Sequence, residues 1–207
     1  MIAPPPPGVT RLLLLRHGEP EVESRGRCYG RLDVGLSPRG VEQAGRAAAL
    51  LDDVSIAAVY ASPRRRAVES ARPLADRRGL EVEIDPDLRE LDFGALEGLT
   101  YDEARVRYPE IYSAWMEHPT EVKFPGGESY AHLRARVLGA FARLRGAHAG
   151  ATFSVVAHGG VTRTALANAL GLPDAHIFRL AQDYAALSVI DWIDDVPIVR
   201  LVNAAPR

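Results

Sequence analysis

Apolar runs of five to eight residues recur along the chain at the lengths of β-strands. Residues 10–15 form an apolar run bounded by charge, which is typical of a strand buried on both faces of a parallel sheet. Residues 152–157 form a second run of this kind, and residues 57–61 (AAVYA) form a shorter one. The remaining predicted strands are residues 81–85, 185–192 and 197–202.

Helical segments separate these predicted strands. Ser37-Pro38 places a preferred N-cap residue before a proline at the first helical position, and predicts a helix to about residue 51. Ser62-Pro63 repeats the signal for a helix that reaches about residue 78. This rhythm of strand, helix, strand and helix predicts an α/β fold.

The second half of the chain continues the alternation. Helices are predicted over residues 100–115, with an interruption at Pro109, and over 130–145 and 161–170. Residues 88–98 and the PGGES segment at 125–129 have no regular pattern and are predicted to be irregular.

Length and hydrophobic content limit the number of domains. The chain has 207 residues, of which 47% are hydrophobic, so it can form one sizeable core and does not require two. We therefore predict a single domain over residues 10–207. Residues 1–9 contain four consecutive prolines and are predicted to form a stiff, disordered tail.

Charge and cysteine content exclude several classes of protein. The formal net charge of −2 argues against a protein that coats nucleic acid or an anionic membrane, so small molecules are the expected partners, with a homodimer left open. The single cysteine, Cys28, rules out an internal disulfide framework and a cysteine-rich zinc site. It fits a reducing compartment, and no signal-peptide or membrane-spanning run is found, so we predict a cytoplasmic protein.

Two predicted buried strands end in the same way. The run LLLLRHG ends on His17 and a glycine, and SVVAHGG ends on His158 and two glycines. Ligands of open α/β sheets lie beyond the carboxyl ends of the strands, so both histidines are expected at one site, with Arg16 and an arginine of the SPRRR segment at 62–66. Backbone N–H groups freed by the glycines and a helix N-terminus would complete a pocket for an oxyanion or a phosphate.

Each of these features also has an ordinary structural explanation. A single histidine at a strand end is more often a capped surface residue, and SPRRR alone is more often the solvated first turn of a helix. The helix dipole disfavours cations there, however. Glu90 in LRELDFG is by itself a loop carboxylate. The joint occurrence of all four features, in this order and at these strand ends, favours an anion site.

Five ordered motifs make the chain similar to the histidine phosphatase superfamily, which has the phosphoglycerate-mutase-like fold. They are LLRHGE (14–19), ASPRRRAVESA (61–71), LRELDFGALEG (88–98), PGGES (125–129) and VVAHGG (155–160). RHG alone is a weak signal, but the ordered set is specific, and the likeness covers residues 11–202. The resemblance implies a three-layer α/β/α sandwich with a mostly parallel central sheet.

The resemblance also implies a role for each motif. His17 is the nucleophile that becomes a phosphohistidine, Arg16, Arg66 and His158 hold the phosphoryl oxygens, and Glu90 is the proton donor. These residue types suit the chemistry, because imidazole attacks phosphorus only through an unprotonated nitrogen. Arginines stabilise charge on the phosphoryl oxygens, and a carboxyl group protonates the departing alkoxide. No metal and no cofactor are expected.

Loop residues are expected to add contacts to the substrate. The predicted substrate-binding residues are Arg16, Gly18, Ser24, Tyr29, Arg66 and Gly159. Many members of the superfamily carry a threonine or serine after RHGE and an asparagine three residues later, where this chain has Pro20 and Glu23. We expect Glu23 to turn away from the phosphate, with Ser24 or a backbone group in its place. Arg64 and Arg65 are expected on the helix surface.

The short chain favours a phosphatase over a mutase, because mutases of this family have added segments around the pocket. The loop GRCYGRLDVGLSPRG together with PGGES is similar to the α-ribazole phosphatases, so the candidate substrates are α-ribazole phosphate and a sugar phosphate. Three alternatives stay open: a mutase, a non-catalytic member that binds a phosphorylated ligand, and a metal-dependent hydrolase built on His17, His158, Glu90 and Asp92.

Overall fold

Six strands form one mixed sheet in the computed structural model, which describes residues 3–24 and 26–206. The strands are β1 (Thr10–Arg16), β2 (Val59–Ala61), β3 (Val82–Ile84), β4 (Thr152–Ala157), β5 (Leu187–Ile193) and β6 (Val196–Ala204). Their order across the sheet is β3-β2-β4-β1-β5-β6. The four strands from β3 to β1 are parallel to one another, and β5 is antiparallel to both β1 and β6. The predicted α/β fold with a mostly parallel sheet is confirmed.

Helices cover both faces of this sheet. Those in the described part of the chain are α1 (Pro38–Ala49), α2 (Arg65–Asp76), α3 (Tyr101–Arg107), α4 (Pro109–Glu117), α5 (Tyr130–Ala147) and α6 (Gly159–Leu170). Leu12 and Leu14 of β1 pack in one core cluster with α5 and α6. Leu13 and Leu15 pack in another cluster with α1 and α2. Because successive side chains of a strand point to opposite faces, β1 is buried on both, and the predicted three-layer arrangement is confirmed.

A smaller apolar cluster lies beside the two main ones. It consists of Cys28, Leu96, Ala104, Trp115, Val122 and Phe124. The rings of Trp115 and Phe124 meet edge to face, with centroids 5.4 Å apart. Leu91 and Phe93 pack against the cluster, so the irregular segment 88–98 is anchored by apolar contacts.

The two Ser-Pro signals have different outcomes. Ser37 caps α1, because its hydroxyl oxygen accepts a hydrogen bond at 3.0 Å from a backbone N–H of the first turn. Helix α2 instead begins at Arg65 and has no side-chain cap, so the predicted helix start at Ser62 is wrong. The Ser62 hydroxyl lies 2.7 Å from a ring nitrogen of His158, and this contact replaces the capping interaction.

The first described residues contact the sheet. The guanidinium of Arg11 donates a hydrogen bond to the carbonyl oxygen of Ala3. Met1 and Ile2 lie outside the described residues. The disorder of residues 1–9, the single domain and the homodimer stay predictions. None of the described helices combines the length and the apolar composition needed to cross a bilayer.

Candidate active site

Two histidines lie side by side at the carboxyl end of the parallel strands. His17 follows β1, and His158 follows β4. The two residues are neighbours because the parallel register pairs Arg16 with Ala157. The backbone N–H of His17 donates to the carbonyl of Ala157 at 2.9 Å. The two imidazole centroids are 5.2 Å apart, and the residues are only 2% and 0% exposed. The strand register therefore brings together two residues that are far apart in the sequence.

The His17 ring presents an unprotonated nitrogen. Its Nδ1 lies 2.7 Å from the carbonyl oxygen of Gly18, which can only accept, so Nδ1 carries the proton. Burial, followed by the positive charges of Arg66 and Arg16, lowers the pKa of His17 well below 6.5, although the Gly18 hydrogen bond opposes this shift. The ring is therefore neutral at pH 7, and the lone pair on Nε2 is available as a nucleophile.

His158 is also neutral, but it is held by a side chain. Its Nε2 lies 2.7 Å from Oγ of Ser62, and its Nδ1 is buried without a hydrogen-bond partner. Burial, and then nearby positive charges of which Arg66 is the largest, lowers the pKa of His158 well below 6.5. Both imidazoles therefore avoid adding positive charge to a site that already contains arginines.

Arg16 and Arg66 border the two histidines. Arg66 is fully buried, and its terminal nitrogens donate to the backbone carbonyls of Tyr29, Gly30 and Leu32 at 2.8 to 3.2 Å. A terminal nitrogen of Arg16 donates to another backbone carbonyl, and its guanidinium carbon lies 4.1 Å from the centroid of the Tyr184 ring. These contacts fix both guanidinium groups in place without neutralising them.

Several buried nitrogens around the histidines have no hydrogen-bond partner. Within the described residues they include Nε of Arg16, Nε of Arg66 and Nδ1 of His158. Buried polar atoms are normally paired, so unpaired nitrogens gathered at one place indicate room for a ligand that accepts hydrogen bonds. Guanidinium N–H groups are strong donors to phosphoryl oxygens. The arrangement is that of an anion site.

Glu90 reaches the same cavity from the segment 88–98. Its Oε2 accepts a hydrogen bond from the backbone N–H of Gly160 at 3.0 Å, and its Oε1 accepts one from that of Leu91 at 2.9 Å. A methyl group on Gly160 would lie 2.3 Å from Oε1, so a side chain there would displace the carboxylate. The carboxylate lines the cavity together with His17, where it can exchange a proton with a bound group.

The PGGES segment holds the segment that carries Glu90. Glu128 pairs with Arg136 through two hydrogen bonds of 2.9 and 2.8 Å, and it also accepts one from the N–H of Asp92 at 3.2 Å. Arg136 donates to the backbone carbonyl of Glu90 at 3.0 Å. Arg136 is thus a positioning residue that the sequence analysis missed. In the sequence, the sign of this role was that a charged residue stands directly beside Val137, which is buried in helix α5.

The match to known proteins agrees with this geometry. Residues 12–205 match the sequence pattern of the Histidine phosphatase superfamily (branch 1). The chain belongs to this superfamily. A bifunctional protein of Mycobacterium tuberculosis is 41% identical over 196 residues, which are 94% of this chain and 54% of that protein. Phosphoserine phosphatase 1 of Hydrogenobacter thermophilus is 35% identical over 195 residues, which are 94% of this chain and 92% of that protein.

Solved structures show the same likeness. The α-ribazole phosphatase of Shigella flexneri has a TM-score of 0.86 and 32% identity, and the match covers 94% of this chain and 96% of that one. The superfamily, the phosphoglycerate-mutase-like fold and the structural likeness to α-ribazole phosphatases are therefore confirmed. The chain spans about half the length of the mycobacterial relative, 54%.

The cavity beside His17 has a volume of about 210 Å³. Tyr29 and Gly159, two of the predicted substrate-binding residues, line it. The lining residues that were not predicted from the sequence include Tyr101, Trp115, Arg163 and Phe178. These four come from α3, α4, α6 and the loop before β5, and no spacing in the sequence links them.

Arg163 adds a further guanidinium to the cavity, in addition to Arg16, Arg27 and Arg66. Its Nε donates to the carbonyl of Leu180 at 2.9 Å, and its guanidinium carbon lies 5.3 Å from the ring centroid of Phe178. Burial, and then the like charge of Arg16, lowers the pKa of Arg163. Among the described residues, no carboxylate oxygen lies within 4.0 Å of its nitrogens. In the sequence, the sign that Arg163 could reach the cavity was its position one helical turn after the HGG motif.

Gly18 and Ser24 are not brought to the cavity. The N–H of Gly18 donates to Oγ of Ser70 at 2.9 Å, and a methyl group on this glycine would lie 2.4 Å from the carbonyl oxygen of Gly40. Gly18 therefore permits close packing against α1. The buried Ser24 hydroxyl donates to the backbone carbonyl three residues earlier at 2.7 Å. Glu23 is exposed, in agreement with the expectation that it turns outward.

Arg64 and Arg65 differ, although both were expected on the helix surface. Arg65 is exposed and pairs with Glu69 at 2.7 Å, as expected. The expectation is wrong for Arg64, which is half-buried and has a buried Nε without a partner. Its charge contributes to the lowered pKa of His158. The difference follows from the late start of α2, which places Arg64 at the N-cap, next to the site.

The residues of the metal-dependent alternative do not form a ligand set. Among residues 3–24 and 26–206, no three side chains of histidine, cysteine, aspartate or glutamate are grouped as metal ligands. Asp92 is engaged elsewhere, since its Oδ1 accepts a hydrogen bond from the N–H of Gly94 at 2.8 Å.

Proposed function

We propose that this chain hydrolyses phosphate monoesters of small molecules through a phosphohistidine on His17, without a metal ion. The observation that carries the proposal is the free lone pair on His17 Nε2 in a cavity bordered by unpaired guanidinium nitrogens. A nucleophile beside preorganised donors is what transfer of a phosphoryl group requires. Membership of the superfamily supports the same chemistry.

In the first step, the Nε2 lone pair of His17 attacks phosphorus, and the bond from phosphorus to the ester oxygen breaks. Protonated Glu90 gives its proton to the departing alkoxide, which leaves as the alcohol. Arg16, Arg66 and His158 stabilise the charge on the other phosphoryl oxygens. The products of this step are the phosphohistidine, the alcohol and the Glu90 carboxylate.

In the second step, water attacks the phosphohistidine. The Glu90 carboxylate accepts a proton from the water as its oxygen bonds to phosphorus, and the bond to Nε2 breaks. Inorganic phosphate leaves, His17 recovers its lone pair, and Glu90 is again protonated. Because Glu90 acts first as acid and then as base, one carboxyl group serves both steps.

For the substrate, we propose α-ribazole phosphate or a sugar phosphate. The likeness to the Shigella flexneri α-ribazole phosphatase supports the first, and the aromatic walls of the cavity offer apolar contacts to the alcohol in either case. The likeness to phosphoserine phosphatase 1 supports a small substrate in general.

The test is product analysis by phosphorus NMR with the purified chain and a panel of these esters and 3-phosphoglycerate. We expect release of inorganic phosphate in excess EDTA, and none with the His17→Ala variant. Isomerisation that depends on added bisphosphoglycerate would instead show a mutase. Loss of activity in EDTA would show a metal-dependent hydrolase, and ligand binding without turnover would show a non-catalytic member.

A further inference from the structure

Ser62 is a buried serine between two strand ends. It directly follows β2, and its N–H donates to the carbonyl of Val156 in β4 at 3.1 Å. The residue is 0% exposed, and its Oγ lies 2.7 Å from Nε2 of His158. The sequence suggested a helix cap for this serine, and the structure gives it a contact with a histidine instead.

The hydrogen bonds around Ser62 determine where its hydroxyl proton points. Oγ of Ser62 accepts a hydrogen bond from the backbone N–H of Arg64 at 3.3 Å. His158 Nε2 is then the acceptor left for the hydroxyl proton among its described partners. If Nε2 carried a proton and donated to Ser62, the hydroxyl proton would be buried without an acceptor, which is costly. The hydroxyl therefore donates to Nε2.

This direction fixes the proton on the other ring nitrogen. A neutral imidazole carries one N–H, so with Nε2 as an acceptor the proton lies on Nδ1 of His158. The backbone of His158 is itself held, because its carbonyl accepts hydrogen bonds at 2.9 Å from both the N–H and the hydroxyl of Thr162. Nδ1 is buried and has no partner in the described residues. It is thus an unpaired donor on a ring whose centroid lies 5.2 Å from that of His17.

We propose that Ser62 is a positioning residue that holds His158 as the neutral ring protonated on Nδ1, ready to donate this proton in a hydrogen bond to a phosphoryl oxygen. The role toward the phosphoryl group rests on the proposed function, whereas the proton arrangement itself does not require turnover. The two histidines then act in complementary ways. His17 keeps a lone pair on Nε2 for phosphorus, and His158 keeps an N–H for oxygen.

The direct test is a long-range proton–nitrogen NMR spectrum of the protein labelled with ¹⁵N-histidine at pH 7, with the His158 signals assigned from their loss in His158→Asn. We expect Nδ1 to carry the proton in the wild type, and Ser62→Ala to shift His158 toward the Nε2-protonated form. The control is Ser154→Ala, which removes another fully buried serine hydroxyl, one that donates to the Leu13 carbonyl; it should leave the His158 signals unchanged. A wild-type His158 protonated on Nε2, or on both nitrogens, overturns the proposal.

Kinetics supply the second test. Ser62→Ala should lower kcat by about three- to tenfold, the usual effect of losing one neutral hydrogen bond, and Ser62→Thr should restore most of it because the hydroxyl remains. An unchanged kcat in Ser62→Ala overturns the proposal, as does a lower kcat with an unchanged His158 spectrum. If the wild type releases no phosphate from any ester, the proposed function fails, and the spectrum alone decides whether Ser62 sets the proton.

Discussion

The two halves of the cavity are held in different ways. The phosphoryl half consists of Arg16, His17 and Arg66, which line the cavity, and of His158, which packs against His17. The alcohol half consists of Tyr101, Trp115, Arg163 and Phe178. The phosphoryl half lies at the ends of the central strands, and three of its four residues are at most 2% exposed. In the alcohol half, Tyr101 and Phe178 are 46% and 54% exposed, while Trp115 is 8% exposed. A rigid, buried half suits the group that all phosphate esters share, and an open half suits the part that varies.

The difference between the two halves predicts two kinds of effect on the rate when a residue is substituted. A change in the phosphoryl half should lower the rate for every ester by a similar factor, because each ester presents the same phosphoryl group. A change in the alcohol half should alter the ranking of esters. Glu90 lines the same cavity, and in the proposed mechanism it protonates the departing alcohol, so the effect of replacing it should depend on the leaving group.

Glu90→Gln should have the largest of these effects. A glutamine cannot protonate an alkoxide, so turnover of an alkyl phosphate should fall by roughly a hundred- to ten-thousand-fold. Turnover of p-nitrophenyl phosphate should fall distinctly less, since p-nitrophenolate is a much better leaving group. Steady-state rates with both esters check this. Equal losses on the two esters would argue against Glu90 as the acid.

Arg66→Ala should come next. It removes a buried guanidinium that lines the cavity with His17. If Arg66 holds the phosphoryl group as proposed, the loss of transition-state stabilisation should be about 2 kcal/mol or more, roughly thirtyfold in kcat/KM, for all esters alike. The matched control is Arg65→Ala, which removes the exposed neighbour and should stay near wild type. Losses that differ strongly between esters would contradict the division into two halves.

Burial of the two histidines predicts a dependence of stability on pH. Burial, and then Arg66, lowers the pKa of both His17 and His158 well below 6.5. Below pH 6.5 the unfolded chain therefore binds more protons than the folded one. As the pH falls below 6.5, the free energy of unfolding should therefore decrease by a little over 1 kcal/mol per pH unit for each histidine. Above pH 6.5, the two histidines should cause no change in this free energy with pH. Urea unfolding of wild type and His158→Asn at pH 7.5 and 5.5 tests this. Between these two pH values, the free energy of unfolding should decrease by about 1 kcal/mol less in the variant than in the wild type.

Arg163→Gln should have the smallest and most selective effect. It removes the cation of the alcohol half, which has no carboxylate partner within 4.0 Å among the described residues. We expect kcat/KM to fall several-fold more for 3-phosphoglycerate than for glycerol 3-phosphate, which lacks the carboxylate. Competition between the two esters gives the ratio directly. An equal decrease for both would assign Arg163 to the phosphoryl half.

The phosphoryl half could be predicted from the sequence because its signals are local. An apolar run followed by His-Gly marks the end of β1 and again the end of β4, and the parallel pairing then brings His17 and His158 together. The identity of Arg66 required the family motif, because three adjacent arginines are equivalent until the start of α2 is known.

The rest could not be predicted, because it depends on contacts between distant segments. Ser62 looked like a helix cap, and only the position of His158 beside it shows another use of its hydroxyl. The prediction that Arg64 lies on the helix surface was wrong for the same reason, since the direction of its side chain depends on where α2 begins. Tyr101 and Arg163 lie on separate helices, so their meeting at one cavity is visible only in the fold.

The proposed mechanism requires that Nε2 of His17 forms a covalent bond to phosphorus. The direct measurement is rapid mixing with a ³²P-labelled ester, followed within milliseconds by an alkaline detergent quench and peptide mapping. We expect a label on the peptide that contains His17, stable in alkali, lost in acid and absent from His17→Ala. Hydrolysis by His17→Ala, or a label on a different residue, would contradict it.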